Sequence, residues 1–93
     1  MPYRTITFEE LKQCTFPAND VITDEVKRQQ RAHDLRSAMA YTNIEHDEVG
    51  MIIQLESGEQ VEFLSDLIEF EGRLVELRGG HAIPVHAIIK IEI

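Results

Sequence analysis

The chain has a single cysteine, no tryptophan, and only nine Lys and Arg against seventeen Asp and Glu in 93 residues. The lone Cys14 excludes an internal disulfide, so a reducing cytoplasm is the expected compartment. Nothing flanking Cys14 is arranged to lower its pKa, and it reads as a small buried hydrophobe. No apolar run approaches the roughly 20 residues that cross a bilayer, and Met1-Pro2-Tyr3-Arg4 does not open like a secretion signal. No membrane association is expected.

Chemical signatures are equally scarce. There is no nucleophile elbow, phosphate loop or recognisable triad. Neighbouring carboxylates such as Asp47 and Glu48, or Glu69 and Glu71, need a pocket to shift a pKa, and a small barrel filled by its own side chains offers none. Four histidines (His33, His46, His81 and His86) lack the spacing that fixes two metal ligands together. The expectation is a chain that is not an enzyme and has no metal and no cofactor, with a histidine-bound metal as the weakest alternative. Internal repeats and low-complexity tracts are absent too.

What is abundant is negative charge, and it is unevenly placed. The formal net charge is −8. Ten acidic residues lie between Glu45 and Glu76 against one basic residue, Arg73. Between Asp24 and Arg36, by contrast, four basic residues face three acidic ones. Such a surface opposes phosphate backbones and favours basic partners; the competing reading is a solvated face that keeps a small protein soluble.

Residues 5–13 carry a short helix. Thr7 and Glu10 have capping-box spacing, and Ile6 and Leu11 that of a hydrophobic staple. Pro17 ends the segment. A longer helix is expected from Asp24 to Tyr41, with Thr23 as N-cap, Asn43 as the stop, and a stripe of Ala32, Leu35 and Met39 facing the core. Ile44 to Glu48 then reads as a polar connection. From Val49 onward, short runs rich in Val, Ile, Leu and Phe are divided by Ser57-Gly58, Gly72 and Gly79-Gly80, the rhythm of a small all-β barrel. Ser65-Asp66 interrupts the second strand, which resumes at Leu67, and Pro84 marks an edge or bulge. The fold class expected is α+β, mainly β: N-terminal helices followed by a bent five-stranded antiparallel small barrel. One domain spans 1–93, helical over 1–44 and barrel over 45–93.

This pattern resembles the Sm-like small-barrel family, and within it the Hfq-like RNA chaperones. The similar stretches are Ile53-Gln54-Leu55-Glu56-Ser57-Gly58-Glu59-Gln60-Val61, Phe70-Glu71-Gly72-Arg73-Leu74-Val75-Glu76-Leu77 and Val85-His86-Ala87-Ile88. In that family the His-Ala-Ile run implies a short helical turn between the last two strands; the family's Lys before the His is Val85 here. Leu55-Glu56-Ser57-Gly58-Glu59 and Ser65-Asp66-Leu67 are more loosely similar to Rho-binding antiterminator proteins, small acidic modules that bind a basic RNA-handling protein. Gly79 to Pro84 resembles uncharacterised bacterial small-barrel proteins, which implies no function.

Two binding surfaces follow as expectations. The first is an acidic face of Glu56, Glu59, Glu62, Asp66 and Glu69 for a protein partner, a basic one by its charge. The second is an RNA-binding face of Lys27, Arg28 and Arg31 with His86, in an oligomer assembled through the edge strand Ile88 to Ile93. The acidic surroundings favour the first.

Overall fold

A computed structural model describes residues 3–66 and 68–93. Met1 and Pro2, and with them the reading of the first residues as no secretion signal, lie outside the described residues, as does Leu67, expected to resume the bent strand.

The short helix α1 spans Phe8–Lys12 and starts as its sequence requires. Thr7 Oγ1 accepts from the Glu10 amide, and the Glu10 carboxylate accepts from the Thr7 amide. Both staple residues, Ile6 and Leu11, are buried. The long helix α2 spans Glu25–Glu45, with Asp24 rather than Thr23 as its N-cap. It runs past Asn43 because His46 supplies the left-handed terminus instead, at φ 56°. The expected polar connection from Ile44 is thus partly helix.

The face that α2 buries is also rotated from the expected one. Arg31, Leu35, Ala38 and Thr42 are buried, whereas Ala32 and Met39 are only half-buried. Two of the four inward positions are polar, so counting apolar residues alone places the stripe one position off. Thr42 is satisfied through its hydroxyl, which donates to the Met39 carbonyl and accepts from the Ile68 amide.

Seven strands form two sheets: β1 Arg4–Thr5, β2 Val49–Gln54, β3 Gln60–Ser65, β4 Ile68–Glu71, β5 Leu74–Leu77, β6 Ala82–Pro84 and β7 Ile88–Glu92. One sheet has the order β1-β3-β2-β7 and the other β4-β5-β6. The count exceeds the expected five for two reasons. The bent strand divides at Ser65-Asp66 into β3 and β4, one per sheet. The two-residue β1 also pairs with β3, in parallel, and is too short to leave a period in the sequence. Elsewhere the turn residues act where expected. Gly58 and Gly72 have φ 94° and 61° in the β2–β3 and β4–β5 loops, a region open to glycine at little cost. A 3-10 turn over Val85–Ala87 links β6 to β7.

One buried cluster draws on α1, α2 and strands of both sheets, including Leu11, Leu35, Met51, Phe63, Ile68, Val75, Ile83 and Ile88. β2 departs from the expected alternation, since Val49 to Ile53 are all buried. Ile52 points away from the cluster, beside its cross-strand neighbour Lys90. The Tyr3 ring lies 5.6 Å from the Lys90 ammonium on that outer side.

Candidate functional site

The five acidic residues expected to form one face fall into two environments. Glu59, in the β2–β3 loop, accepts from Arg4 Nε at 3.1 Å and from its NH2 at 3.2 Å. Glu56 accepts from the Thr15 hydroxyl and Glu62 from the Thr5 hydroxyl, each at 3.2 Å. Asp66, at the bend, accepts from Arg78 Nε at 2.9 Å. That guanidinium holds the Asp66 carboxyl below the ordinary carboxylate range. Four of the five are therefore engaged with neighbours in the same chain, three of them holding β1 or the loop after α1 against the sheet.

Glu69 belongs elsewhere, on the outer face of the second sheet. Along β4 and β5 the inward residues Ile68, Val75 and Leu77 are buried, and the alternate positions Glu69, Glu71, Leu74 and Glu76 are exposed. Register places Glu69 directly opposite Glu76, and Glu71 opposite Leu74. None of the three carboxylates has an ion pair among the described residues. Leu74 stands among them half exposed. Two like charges in direct cross-strand register repel, at a cost of a few tenths of a kcal/mol or more, and that cost is offset only if something binds there or if it is tolerated. Sequence reading selected Glu69 but not Glu71 and Glu76. The alternation of Glu69-Phe70-Glu71 and Leu74-Val75-Glu76 was the available signal.

The basic residues are placed differently from the expectation. Arg31 is a strut of the fold: its side chain is 5% exposed. It donates to both oxygens of Asp20, at 2.9 and 2.7 Å, and to the Ile88 carbonyl at 2.9 Å. These bonds tie α2 to the loop before it and to β7. Arg28 is half-buried and donates through Nε to the Ile22 carbonyl at 2.6 Å. His86 Nε2 lies 2.6 Å from the Pro17 carbonyl, to which it donates. Lys27 is exposed, on a groove of about 390 Å³ between α2 and β7 that also includes Ile22, Asp34, Ile89 and Lys90. Arg28, Arg31 and His86 line one cavity, and Lys27 lies on the separate groove.

Asp20 is the focus of this region. Its hydrogen bonds from Arg31, then the Ile22 amide and the charges of Arg31 and Arg28, hold its carboxyl below the ordinary range against the opposing effect of burial. Cys14 is half-buried, and burial pushes its thiol up, so it is a poor nucleophile. Among the described residues no three His, Cys, Asp or Glu side chains gather as a metal site, and no helix is long and apolar enough to cross a membrane. No family model, curated protein or solved structure matches the chain.

Proposed function

We propose that this chain is a non-enzymatic, Sm-like binding module whose second sheet receives a basic segment of a protein partner in the cytoplasm. The observation that carries the reading is the set of carboxylates Glu69, Glu71 and Glu76, without an ion pair among the described residues, around the half-exposed Leu74. A lysine- or arginine-rich strand or helix with one apolar side chain would neutralise the facing charges and cover Leu74. Support for the Sm-like architecture comes from the bend between β3 and β4, the antiparallel run β4-β5-β6, and the 3-10 turn leading into β7.

Fluorescence anisotropy with a labelled Lys/Arg-rich peptide tests this reading. Binding should weaken at least tenfold in the triple variant Glu69→Gln, Glu71→Gln, Glu76→Gln, and should fall steeply as salt shortens the Debye length. Equal binding by the triple variant, at all salt concentrations, would end it.

The second reading, an RNA-binding oligomer, is favoured by one feature: β6 and β7 each have a strand neighbour on one side only. Light scattering on the purified chain together with filter binding of short RNAs decides it; a monomer that retains no RNA at low salt removes it.

A further inference from the structure

The chain also holds a second polar cavity, of about 450 Å³, lined by Asp20, Arg28, Arg31, Gly72, Arg73 and His86 together with Val85. Three separate segments build it: the N-terminal half of α2 with the loop before it, the β4–β5 turn, and the 3-10 turn before β7. It is set apart from the rest of this acidic protein by its charge. Three guanidinium groups less the Asp20 carboxylate leave two positive charges around one cavity.

We propose that this cavity binds a small phosphate, as the free ion or as a monoester. The donors are of two kinds. Arg28 is held by its Nε bond to Ile22, and its two terminal nitrogens have no hydrogen bond among the described residues. The exposed Arg73 side chain has none there either, so two planar forks are free to take an oxyanion bidentately. Gly72 begins the turn at φ 61°, with no side chain and nothing within 4 Å of where a Cβ would stand. Its backbone therefore leaves room for an oxyanion beside Arg73. Behind them Arg31, already fixed by Asp20 and Ile88, supplies charge that cannot swing away. The Arg31 Nε–H is buried and has no acceptor, an arrangement that costs about 1–3 kcal/mol and that an incoming oxygen, or a water it orders, would relieve.

The size and charge of the ligand follow from the cavity. A phosphate monoester carries about −1.5 to −2 charges at pH 7, which matches the two positive charges of the lining. The volume is in the range of small-molecule sites, roughly 300–1,000 Å³. A polyanion is disfavoured by the exposed carboxylate of Glu71, next in the chain to Gly72 of the lining. His86 contributes a wall rather than a donor, since its Nε2 proton is committed to Pro17.

Amide-detected NMR titration of the full chain with inorganic phosphate, with ribose 5-phosphate and with acetate, against sodium chloride at matched ionic strength, tests the site. Saturable shifts at Arg28, Gly72 and Arg73 with either phosphate, and not with chloride or acetate, are expected. Tighter binding of inorganic phosphate identifies the free ion as the ligand, and tighter binding of the sugar phosphate identifies an ester. Arg73→Gln removes an exposed side chain with no hydrogen bond among the described residues, so it should weaken binding at least fivefold at unchanged melting temperature. Shifts equal to those in chloride, binding unaffected by Arg73→Gln, or a single-stranded oligonucleotide binding more tightly than either small phosphate would each overturn the proposal.

Discussion

Asp20→Ala removes the carboxylate on which the placement of α2 rests, together with its contacts to the Ile22 amide and Arg28. In the wild-type chain the Arg31 guanidinium is 5% exposed and makes three hydrogen bonds, two of them to Asp20. Removing the carboxylate leaves a buried cation facing one carbonyl. Breaking a buried pair from one side costs about 3–5 kcal/mol, and the Asp20 side chain, at 19% exposure, leaves an opening through which water can enter. The expected loss is therefore about 3 kcal/mol, out of the roughly 5–14 kcal/mol that a chain of this length holds in total. The melting temperature should fall by roughly 12–24 °C. Arg31→Met removes the charge rather than its partner and should cost about 1 kcal/mol or less. In the double variant the methionine rescues the alanine, with a coupling of roughly 2 kcal/mol in a urea-denaturation cycle read by circular dichroism. A cost for Asp20→Ala below that of Arg31→Met, or an additive cycle, would refute the strut. The pH dependence gives a second check. The folded-state pKa of Asp20 lies below its unfolded value, so the stability it contributes is complete above the unfolded value and is lost as pH falls from there through the folded one. Wild type should thus lose more stability than Asp20→Ala on acidification below about pH 4.

Three further outcomes are expected. Glu69→Lys replaces a like-charge pair with Glu76 by an opposite-charge one, so it should stabilise the chain by roughly 0.2–1 kcal/mol while weakening capture of a basic peptide, both read on the same preparation. Gly79→Ala places a Cβ 3.2 Å from the Phe8 ring at φ 94°; the turn strain and the displaced ring should together cost more than about 1 kcal/mol, measured by urea denaturation. Cys14 should react with a thiol reagent more slowly in the folded chain than in urea, because burial raises its pKa; equal rates would place the thiol in solvent.

Sequence and structure agree best where the governing interaction is local. The Thr7–Glu10 box, the Ile6 and Leu11 staple, the glycine turns and the Ser65-Asp66 bend each depend on residues within a few positions of one another, and each stands where the sequence places it. What stayed hidden depends on partners far along the chain. Arg31 reads as a surface cation until Asp20, eleven residues earlier, and Ile88, 57 later, are brought to it. Thr42 lies past the expected helix end at Tyr41, and its buried role shows only when the Ile68 amide arrives. With two of four buried positions occupied by such residues, the inward face of α2 carries too little apolar signal to be located. The acidic site was half legible: total charge was evident, but which carboxylates Arg4 and Arg78 would neutralise depends on the folding of β1 and on the crossing of the bend.

The parallel pairing of β1 with β3 also dictates an order of events. Arg4 and Thr5 pair with Val61 and Glu62, and the Ile6 amide continues the contact to the Glu62 carbonyl. During synthesis this strand emerges before β3, its pairing partner, which follows some 57 residues later, a delay of roughly 3–11 s at ribosomal rates of about 5–20 residues per second. Throughout that interval, and in any chain that has refolded its hairpin but not yet closed its end, the outer edge of β3 is bare. Such an edge is a template for other strands. The arginine and threonine of β1 thus cover the outer edge of β3, which stays open to other strands until they dock.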